Sequence, residues 1–421
     1  MNYIIYVLVL LIFSVGCKSN PGNEIQDNTV AVSLLYLVKP GAWEKYVPQA
    51  NSISISIQNS STKNFSYDPS CSNAPGTDSK YAFFVKKGSS NNLLINFMGG
   101  GACWDAKNCL GVSDTQTYIS DIGFVNYMAM NISSSYIDAG VLDHNAANNP
   151  FKGWTMVFIP YCTGDVFWGS NDYEYTDPVT SEKHTIRHRG FDNFLSVLKY
   201  LQNNYPSTQV GDVFVTGQSA GGYGAIYNYP YIKEVYSSNK VYVLGDAANG
   251  VTTTTFESDV KNVWGVSETL PDWISGISTS SFDTLDIGYF YQYIGNHYTT
   301  TRLAQYTAAY DGTQVYFYNV NKTMGNTYVA NSSMWDTVTS DLYCEWNTKM
   351  LTLKSTAEKT ANYRSFIAYG KVHTISMDTD FYTLSQDGTS LVSWYKKMIE
   401  DDSSWNNVLC TSCIPTGTTC Q

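Results

Sequence analysis

The sequence has 421 residues, of which 43% are hydrophobic and 14% are charged. This composition supplies enough apolar material for one large core and excludes an intrinsically disordered chain. The formal net charge is -11, and basic residues form no cluster along the sequence. Because such a chain would be repelled by a phosphate backbone, nucleic acid is excluded as a partner.

The first 17 residues predict an export signal. They read MNYIIYVLVLLIFSVGC, an apolar run that suits a secretion signal and is short for a membrane span. The ending SVGC resembles the bacterial signal that is cleaved before a lipidated cysteine, although Ser14 replaces the usual leucine and no basic residue precedes the run. We expect lipidation at Cys17, with lipid-free secretion as the alternative. Residues 18–33, polar with Pro and Gly, would then form a flexible tether, and the lipid would be the only membrane contact.

Cysteine parity agrees with export. Removing Cys17 from the nine cysteines leaves eight, an even number suited to disulfides in an oxidising compartment. Cys103 and Cys109 are close enough to pair across a short loop. One CxxC occurs near the C-terminus, but no second CxxC or nearby His completes a zinc set, so we expect no metal and no cofactor. Pairing stays open for the other late cysteines: Cys344, Cys410, Cys413 and Cys420.

From residue 34 to 421 the pattern predicts a single α/β domain. Short β-branched and aromatic runs alternate with helical patterns, which is typical of a mostly parallel sheet covered by helices on both faces. One crossover helix is predicted over Gly190–Asn204, before Pro206. Residues 252–301 are too long for a plain connection and are expected to form an inserted cap, with surface elaboration as the alternative. The predicted strands are Leu93–Met98, Thr155–Pro160, Asp212–Thr216, Val241–Gly245, Ala304–Tyr310 and Arg364–Tyr369.

The sequence GQSAGG around Ser219 contains the pattern G-x-S-x-G. The pattern alone arises readily by chance, but here the run DVFVT precedes it and a helical pattern begins at Tyr223. Strand, sharp turn and helix are what the nucleophile elbow of an α/β-hydrolase requires. We therefore predict that Ser219 is a nucleophile; an incidental Ser in a glycine-rich turn is the alternative.

A serine hydroxyl needs a base to take its proton, and that base needs a carboxylate to fix its tautomer. In this fold the acid and then the histidine follow the serine along the chain, each after a strand. Asp311 and His373 follow the last two predicted strands. His297 is the weaker alternative because it lies within the insertion, and Asp246, at the end of a strand, is the reserve acid.

The reaction also needs backbone amides that stabilise the negative charge on the attacked carbonyl oxygen. Ala220, directly after the nucleophile, should supply one. The others should come from the run Gly99-Gly100-Gly101, which follows the strand LLINFM. A phosphate-binding loop is the alternative, but the run lacks the Lys and the spacing of a P-loop.

These blocks together resemble the pectin acetylesterase family, which also contains Notum-type deacylases. The similar segments are FMGGGACWD, NNPFKGWTMVFIPYCTGDVFWG, RHRGFDNFLSVLKYL, GQSAGGYGA and AAYDGTQ, between about residues 70 and 375. The resemblance implies an α/β-hydrolase fold, the triad Ser219, Asp311 and His373, and oxyanion donors at Gly100, Gly101 and Ala220. It also implies the disulfides Cys71–Cys162 and Cys103–Cys109. Gly101 stands where many relatives carry an aromatic residue, which leaves the shape of the acyl pocket open.

We therefore expect an exported carboxylic ester hydrolase that acts through an acyl-enzyme. The acidic chain fits a neutral or heavily esterified substrate better than bare polygalacturonate. An O-deacetylase of a glycan or of another short-acyl ester is the leading prediction. The alternatives are a lipase or polyester depolymerase, and a surface binding lipoprotein that keeps the fold without activity.

Overall fold

The computed structural model of the protein describes residues 42–111, 115–130, 137–324, 335–411 and 413–420. The predicted export signal with Cys17, and the tether 18–33, lie outside these residues. None of the helices among the described residues has the length and apolar character needed to cross a membrane.

Strands run through most of the chain and supply its buried framework. In chain order they are β1 Glu44–Tyr46, β2 Asn51–Ser56, β3 Thr62–Tyr67, β4 Phe83–Lys86, β5 Leu93–Phe97, β6 Thr155–Ile159, β7 Asn171–Thr176, β8 Lys183–His188, β9 Val213–Gln218, β10 Val241–Asp246, β11 Leu303–Ala308, β12 Tyr363–Ala368, β13 Ser385–Gln386, β14 Thr389–Ser390 and β15 Val408–Leu409.

Helices connect the strands and also fill the insertion. They are α1 Ala106–Cys109, α2 Gly123–Met130, α3 Gly190–Asn204, α4 Ala220–Val235, α5 Phe256–Trp264, α6 Ile287–His297, α7 Gly312–Met324, α8 Ser340–Ala357 and α9 Leu391–Ile399. The crossover helix predicted over Gly190–Asn204 is confirmed at both ends.

Within the described residues, nine strands form one sheet in the order β1-β4-β6-β5-β9-β10-β11-β12-β15. The pairs β1–β4 and β4–β6 are antiparallel, and the remaining neighbours are parallel. Every residue of β5, β6, β9, β10 and β11 is buried, so both faces of the central sheet are covered. This confirms the predicted fold class.

The predicted central strands are confirmed to within two residues at each end. The largest differences are two residues: β11 was expected to end at Tyr310 and ends at Ala308, and β9 was expected to end at Thr216 and continues to Gln218. The glycine of the motif does not end the strand because Gly217 and Gln218 still pair with Gly245 and Asp246 of β10. The nucleophile motif therefore starts inside the sheet.

Four disulfides join cysteines of the described residues. Cys71 is bonded to Cys162, and Cys103 to Cys109, the pairs that the sequence analysis expected. The late cysteines, which sequence left open, pair as Cys344–Cys420 and Cys410–Cys413. Such bonds persist in oxidising compartments and agree with export.

Candidate active site

Ser219 lies at the turn between β9 and α4. Its backbone angles are φ 56° and ψ −122°, a left-handed φ that a serine adopts only under strain. The flanking glycines permit this turn because the backbone is crowded there. A Cβ on Gly217 would lie 2.2 Å from the carbonyl oxygen of Gly221, and one on Gly221 would lie 2.0 Å from that of Phe97. The local structure is that of a nucleophile elbow.

Asp311 and His373 meet beside the C-terminal ends of β11 and β12. The Nδ1 atom of His373 lies 2.8 and 2.9 Å from the two carboxylate oxygens of Asp311. Asp311 is fully buried and also accepts hydrogen bonds from the backbone N–H (2.9 Å) and the side-chain Nε2 (3.0 Å) of Gln314. Sequence reasoning missed Gln314, although Asp-x-x-Gln at the start of a helix is a capping pattern that signals this contact.

This pairing leaves the other ring nitrogen of His373 available. Its Nε2 atom is buried and has no hydrogen-bond partner among the described residues. His373 and Ser219 line the same cavity, although no hydrogen bond between them is formed. Burial lowers the pKa of His373, but the charge of Asp311, its hydrogen bond and the charge of Asp246 together raise the pKa above its ordinary value.

The two alternative residues lie elsewhere. His297 is exposed at the C-terminal end of α6 and does not line the cavity. Asp246 is fully buried at the end of β10. Its carboxylate contacts the backbone of Ile375 and Ser376 and not the ring of His373. The structure therefore brings together Asp311 and His373, the pair that the chain order favoured.

The residues expected to donate to the oxyanion line the cavities beside Ser219: Gly101 and Ala220 one, Gly100 and Gly101 the other. The run Gly99–Gly101 follows β5, and Gly101 has a φ of 77°, which favours glycine. Gly101 bridges to Tyr118 through its neighbours: Ile119 N–H donates to the carbonyl of Gly100 and Ala102 N–H to that of Thr117. No hydrogen bond between described residues uses the N–H of Gly100, Gly101 or Ala220. These three amides are free to bind an oxyanion.

A cavity of about 110 Å³ extends from Ser219. Most of its wall is apolar and aromatic, and seven of its 24 lining residues belong to the insertion 252–301. Trp168 stacks on Tyr227 with ring centroids 3.7 Å apart. A second cavity shares Gly101, Ser219 and His373 and continues towards Asp378. Apolar wall residues of the first cavity include Trp104, Trp168, Tyr227, Phe282, Leu285 and Ile287.

A carboxyl side chain lies in this largely apolar wall. Glu257 of α5 lines the first cavity and accepts a hydrogen bond from the hydroxyl of Thr252 at 3.0 Å. Burial raises the pKa of Glu257 to about 7. Sequence analysis did not single out Glu257, because a lone Glu in a helix carries no signal of a cavity.

The only His, Cys and acidic side chains among the described residues that are close enough to share a metal ion are Cys103, Cys109 and His188. The two cysteines are joined in a disulfide. His188 is buried, with Nδ1 2.9 Å from the carbonyl of Thr163 and Nε2 3.1 Å from the hydroxyl of Tyr175. This group stabilises the fold and offers no thiolate to a metal.

The parallel sheet with a strained serine between a central strand and its helix is the arrangement of an α/β-hydrolase. Comparison with known families makes this specific. The family model described as pectinacetylesterase matches residues 68–405, and the chain belongs to that family. Membership places the protein among the carboxylic ester hydrolases.

Individual relatives are more distant. The chain is 26% identical over 170 residues to the palmitoleoyl-protein carboxylesterase NOTUM of Schmidtea mediterranea, which is 39% of this chain and 29% of that protein. Two crystal forms of the Wnt deacylase Notum from Drosophila have the same fold, with a TM-score of 0.53 and 18% identity. Each comparison covers 89% of this chain, and 99% and 98% of the two Notum chains.

Proposed function

We propose that the protein hydrolyses carboxylic esters through an acyl-enzyme on Ser219. The observation that carries this proposal is the bond between Nδ1 of His373 and Asp311. With that bond made, Nε2 is the nitrogen left to take the serine proton in the cavity that Ser219 lines. Asp311 fixes the tautomer, and the amides of Gly100, Gly101 and Ala220 are the oxyanion donors.

In the first half-reaction, Oγ of Ser219 attacks the ester carbonyl carbon and its proton passes to Nε2 of His373. The tetrahedral oxyanion accepts hydrogen bonds from the three amides and then collapses. The alcohol leaves with the proton from Nε2, and Ser219 keeps the acyl group. In the second half-reaction, water gives a proton to Nε2 and attacks the acyl carbon. The new tetrahedral intermediate then collapses, Oγ of Ser219 takes the proton back from Nε2, and the acid is released.

The acyl group is proposed to occupy the apolar cavity, and the alcohol the second cavity. The cavity has a volume of about 110 Å³, and one water-sized group needs only about 10–15 Å³ of such a volume. An acetyl group would therefore leave much of the space unfilled, and burying each methylene contributes about 0.8 kcal/mol. The cavity thus favours a longer acyl chain than the short one predicted from sequence. The planarian relative, named as a palmitoleoyl-protein carboxylesterase, supports the same choice. Acetyl ester hydrolysis is the second candidate because the family is described as pectinacetylesterase.

In this proposal, residues 252–301 act as a cap that completes the acyl cavity. Their side chains Phe282, Leu285 and Ile287 line its wall beside residues of the central fold. Replacing Leu285 by Trp would shorten the space without adding charge. We expect this variant to lose hydrolysis of long-chain esters while acetyl ester hydrolysis changes little.

The proposal is tested with p-nitrophenyl esters from two to twelve carbons. Ser219→Ala should lower kcat by about 10⁴-fold or more, whereas Ser238→Ala, an exposed serine outside both cavities, should match the wild type. Equal rates for Ser219→Ala and wild type would refute the nucleophile. A wild-type rate no higher than spontaneous hydrolysis would favour the inactive binding protein. A kcat/KM that rises with chain length supports the long acyl group, and a steep fall beyond four carbons supports the acetylesterase.

We also propose that the protein is anchored by a lipid on Cys17 after export. The support is the SVGC ending of the signal together with eight remaining cysteines that pair among themselves. Mass spectrometry of the mature N-terminus should find a diacylglyceryl group on Cys17 that Cys17→Ser lacks. A mature chain that starts elsewhere, without lipid, supports simple secretion.

A further inference from the structure

Asp246 connects the nucleophile turn to the histidine loop. Its backbone carbonyl accepts the N–H of Ser219 at 2.8 Å. Its carboxylate oxygen Oδ2 accepts three bonds from the residues that follow His373: Ile375 N–H at 2.9 Å, Ser376 N–H at 2.7 Å and Ser376 Oγ–H at 2.6 Å. One fully buried residue therefore holds both catalytic segments.

A second set of buried hydrogen bonds joins the nucleophile turn to the histidine loop. The side-chain Nε2 of Gln218, the residue before the nucleophile, donates to Ser376 Oγ and to Asn96 Oδ1, each at 2.8 Å. Gln218, Ser376 and Asn96 are all buried. Because Ser376 accepts from Gln218 and donates to Asp246, the loop is tied to the elbow from both sides.

Backbone strain explains why the histidine loop needs such a clamp. Thr374, directly after His373, has a φ of 57°, and Ala247, directly after Asp246, has a φ of 55°. A β-branched residue in the left-handed region is disfavoured and persists only where the surroundings impose it. The bonds to the amides of Ile375 and Ser376 supply that restraint. Without them, Thr374 could relax and turn His373 away from Asp311.

The carboxylate also acts through its charge. Burial raises the pKa of Asp246 above its ordinary value, although the three hydrogen bonds to Oδ2 act in the opposite direction. The buried Oδ1 has no partner among the described residues. The charges of Asp311 and Asp246 both raise the pKa of His373, and only Asp311 is hydrogen-bonded to the ring. Glu257 and Asp378 line the adjoining cavities, and the ammonium of Lys371 lies over an aromatic ring, 3.9 Å from its centroid.

We propose that Asp246 is a positioning residue for catalysis: it clamps the strained loop after His373 to the nucleophile turn. This proposal rests on the proposed roles of Ser219 and His373. Asp246 neither contacts substrate nor replaces Asp311 as the acid of the triad.

The test is an NMR pH titration of the His373 ring in the full folded protein, combined with steady-state kinetics. Asp246→Asn keeps the size and an acceptor oxygen but removes the charge. Asp192→Asn is the control for loss of a buried carboxylate. Asp192 accepts a serine hydroxyl (Ser170, 2.5 Å) and a backbone N–H (Asp68, 2.8 Å) and also pairs with Arg189 (3.1 Å), away from both cavities.

We expect Asp246→Asn to lower the pKa of His373 and to lower kcat by about 10- to 100-fold with KM changed less than about threefold. Asp192→Asn should change neither. An unmoved pKa and kcat in Asp246→Asn, or equal losses in both variants, would overturn the proposal. If Asp246→Asn does not fold, Ser376→Ala must lower kcat about tenfold, since it removes one bond to a charged group; an unchanged kcat rejects the clamp.

The titration needs no turnover, so it separates this proposal from the proposed function. Ser219-independent hydrolysis with a lowered His373 pKa in Asp246→Asn would reject the nucleophile and retain the influence of Asp246 on His373. Ser219-dependent hydrolysis with no change in Asp246→Asn would retain the nucleophile and reject the influence of Asp246 on His373.

Discussion

Replacing Asp311 by Asn tests whether the carboxylate of Asp311 fixes the tautomer of His373. Both carboxylate oxygens of Asp311 face Nδ1 of His373, at 2.8 and 2.9 Å, and both also accept from Gln314. Asn has the same shape but only one acceptor oxygen. If that oxygen stays with Gln314, the new amide group faces Nδ1 and donates to it. The imidazole must then carry its proton on Nε2, where it cannot accept the proton of Ser219.

The expected loss is large because the wrong tautomer removes the base and not only its orientation. We expect kcat to fall by about 10⁴-fold, which corresponds to about 5.5 kcal/mol of transition-state stabilisation. KM should change little, since Asp311 lies behind His373 and does not line either cavity. Folding should survive, because the substitution keeps the volume of a fully buried side chain.

The assay is the release of p-nitrophenol from the best ester of the series, with thermal unfolding of the same samples. Asp192→Asn serves again as the control for loss of a buried carboxylate. A decrease of less than about tenfold in kcat for a folded Asp311→Asn protein would refute the assignment of the acid. A loss that Asp192→Asn reproduces would show that the effect comes from the fold.

Three further predictions follow from pKa shifts and covalent bonds. First, kcat/KM should fall about tenfold per pH unit below the pKa of His373, which lies above 6.5, because only the neutral ring accepts a proton; a flat profile down to about pH 5 would contradict this. Second, burial raises the folded-state pKa of Glu257 from 4.5 to about 7, so the stability it contributes is complete below the lower value and is lost as pH rises through the higher one. In urea unfolding, the free energy of unfolding of Glu257→Gln should therefore fall less than that of the wild type between about pH 5 and about pH 8. Equal decreases in the two proteins would refute the shift. Third, replacing both Cys71 and Cys162, which are 91 residues apart, by Ala should lower the free energy of unfolding by about 2–5 kcal/mol; an unchanged urea midpoint would refute it.

The amino-acid sequence by itself determined the central sheet and the order of the candidate catalytic residues. Strands buried on both faces are continuous apolar runs such as those of β5 and β6, so their positions are readable without a partner. The glycines around Ser219 are a local requirement of a tight turn and are equally readable. The expected sites of Asp311 and His373 followed from the chain order of the fold.

Only the tertiary structure decided how distant segments meet. Asp311 and His373 are 62 residues apart, and nothing local to either shows that Nδ1 faces the carboxylate. The role of Asp246 also depends on contact with a loop 130 residues away. The acyl cavity is shaped by side chains of the insertion, whose broken periodicity gave no indication of what they would enclose. Local patterns encode turns and strands, whereas the partners of a buried polar group depend on the packing of the whole chain.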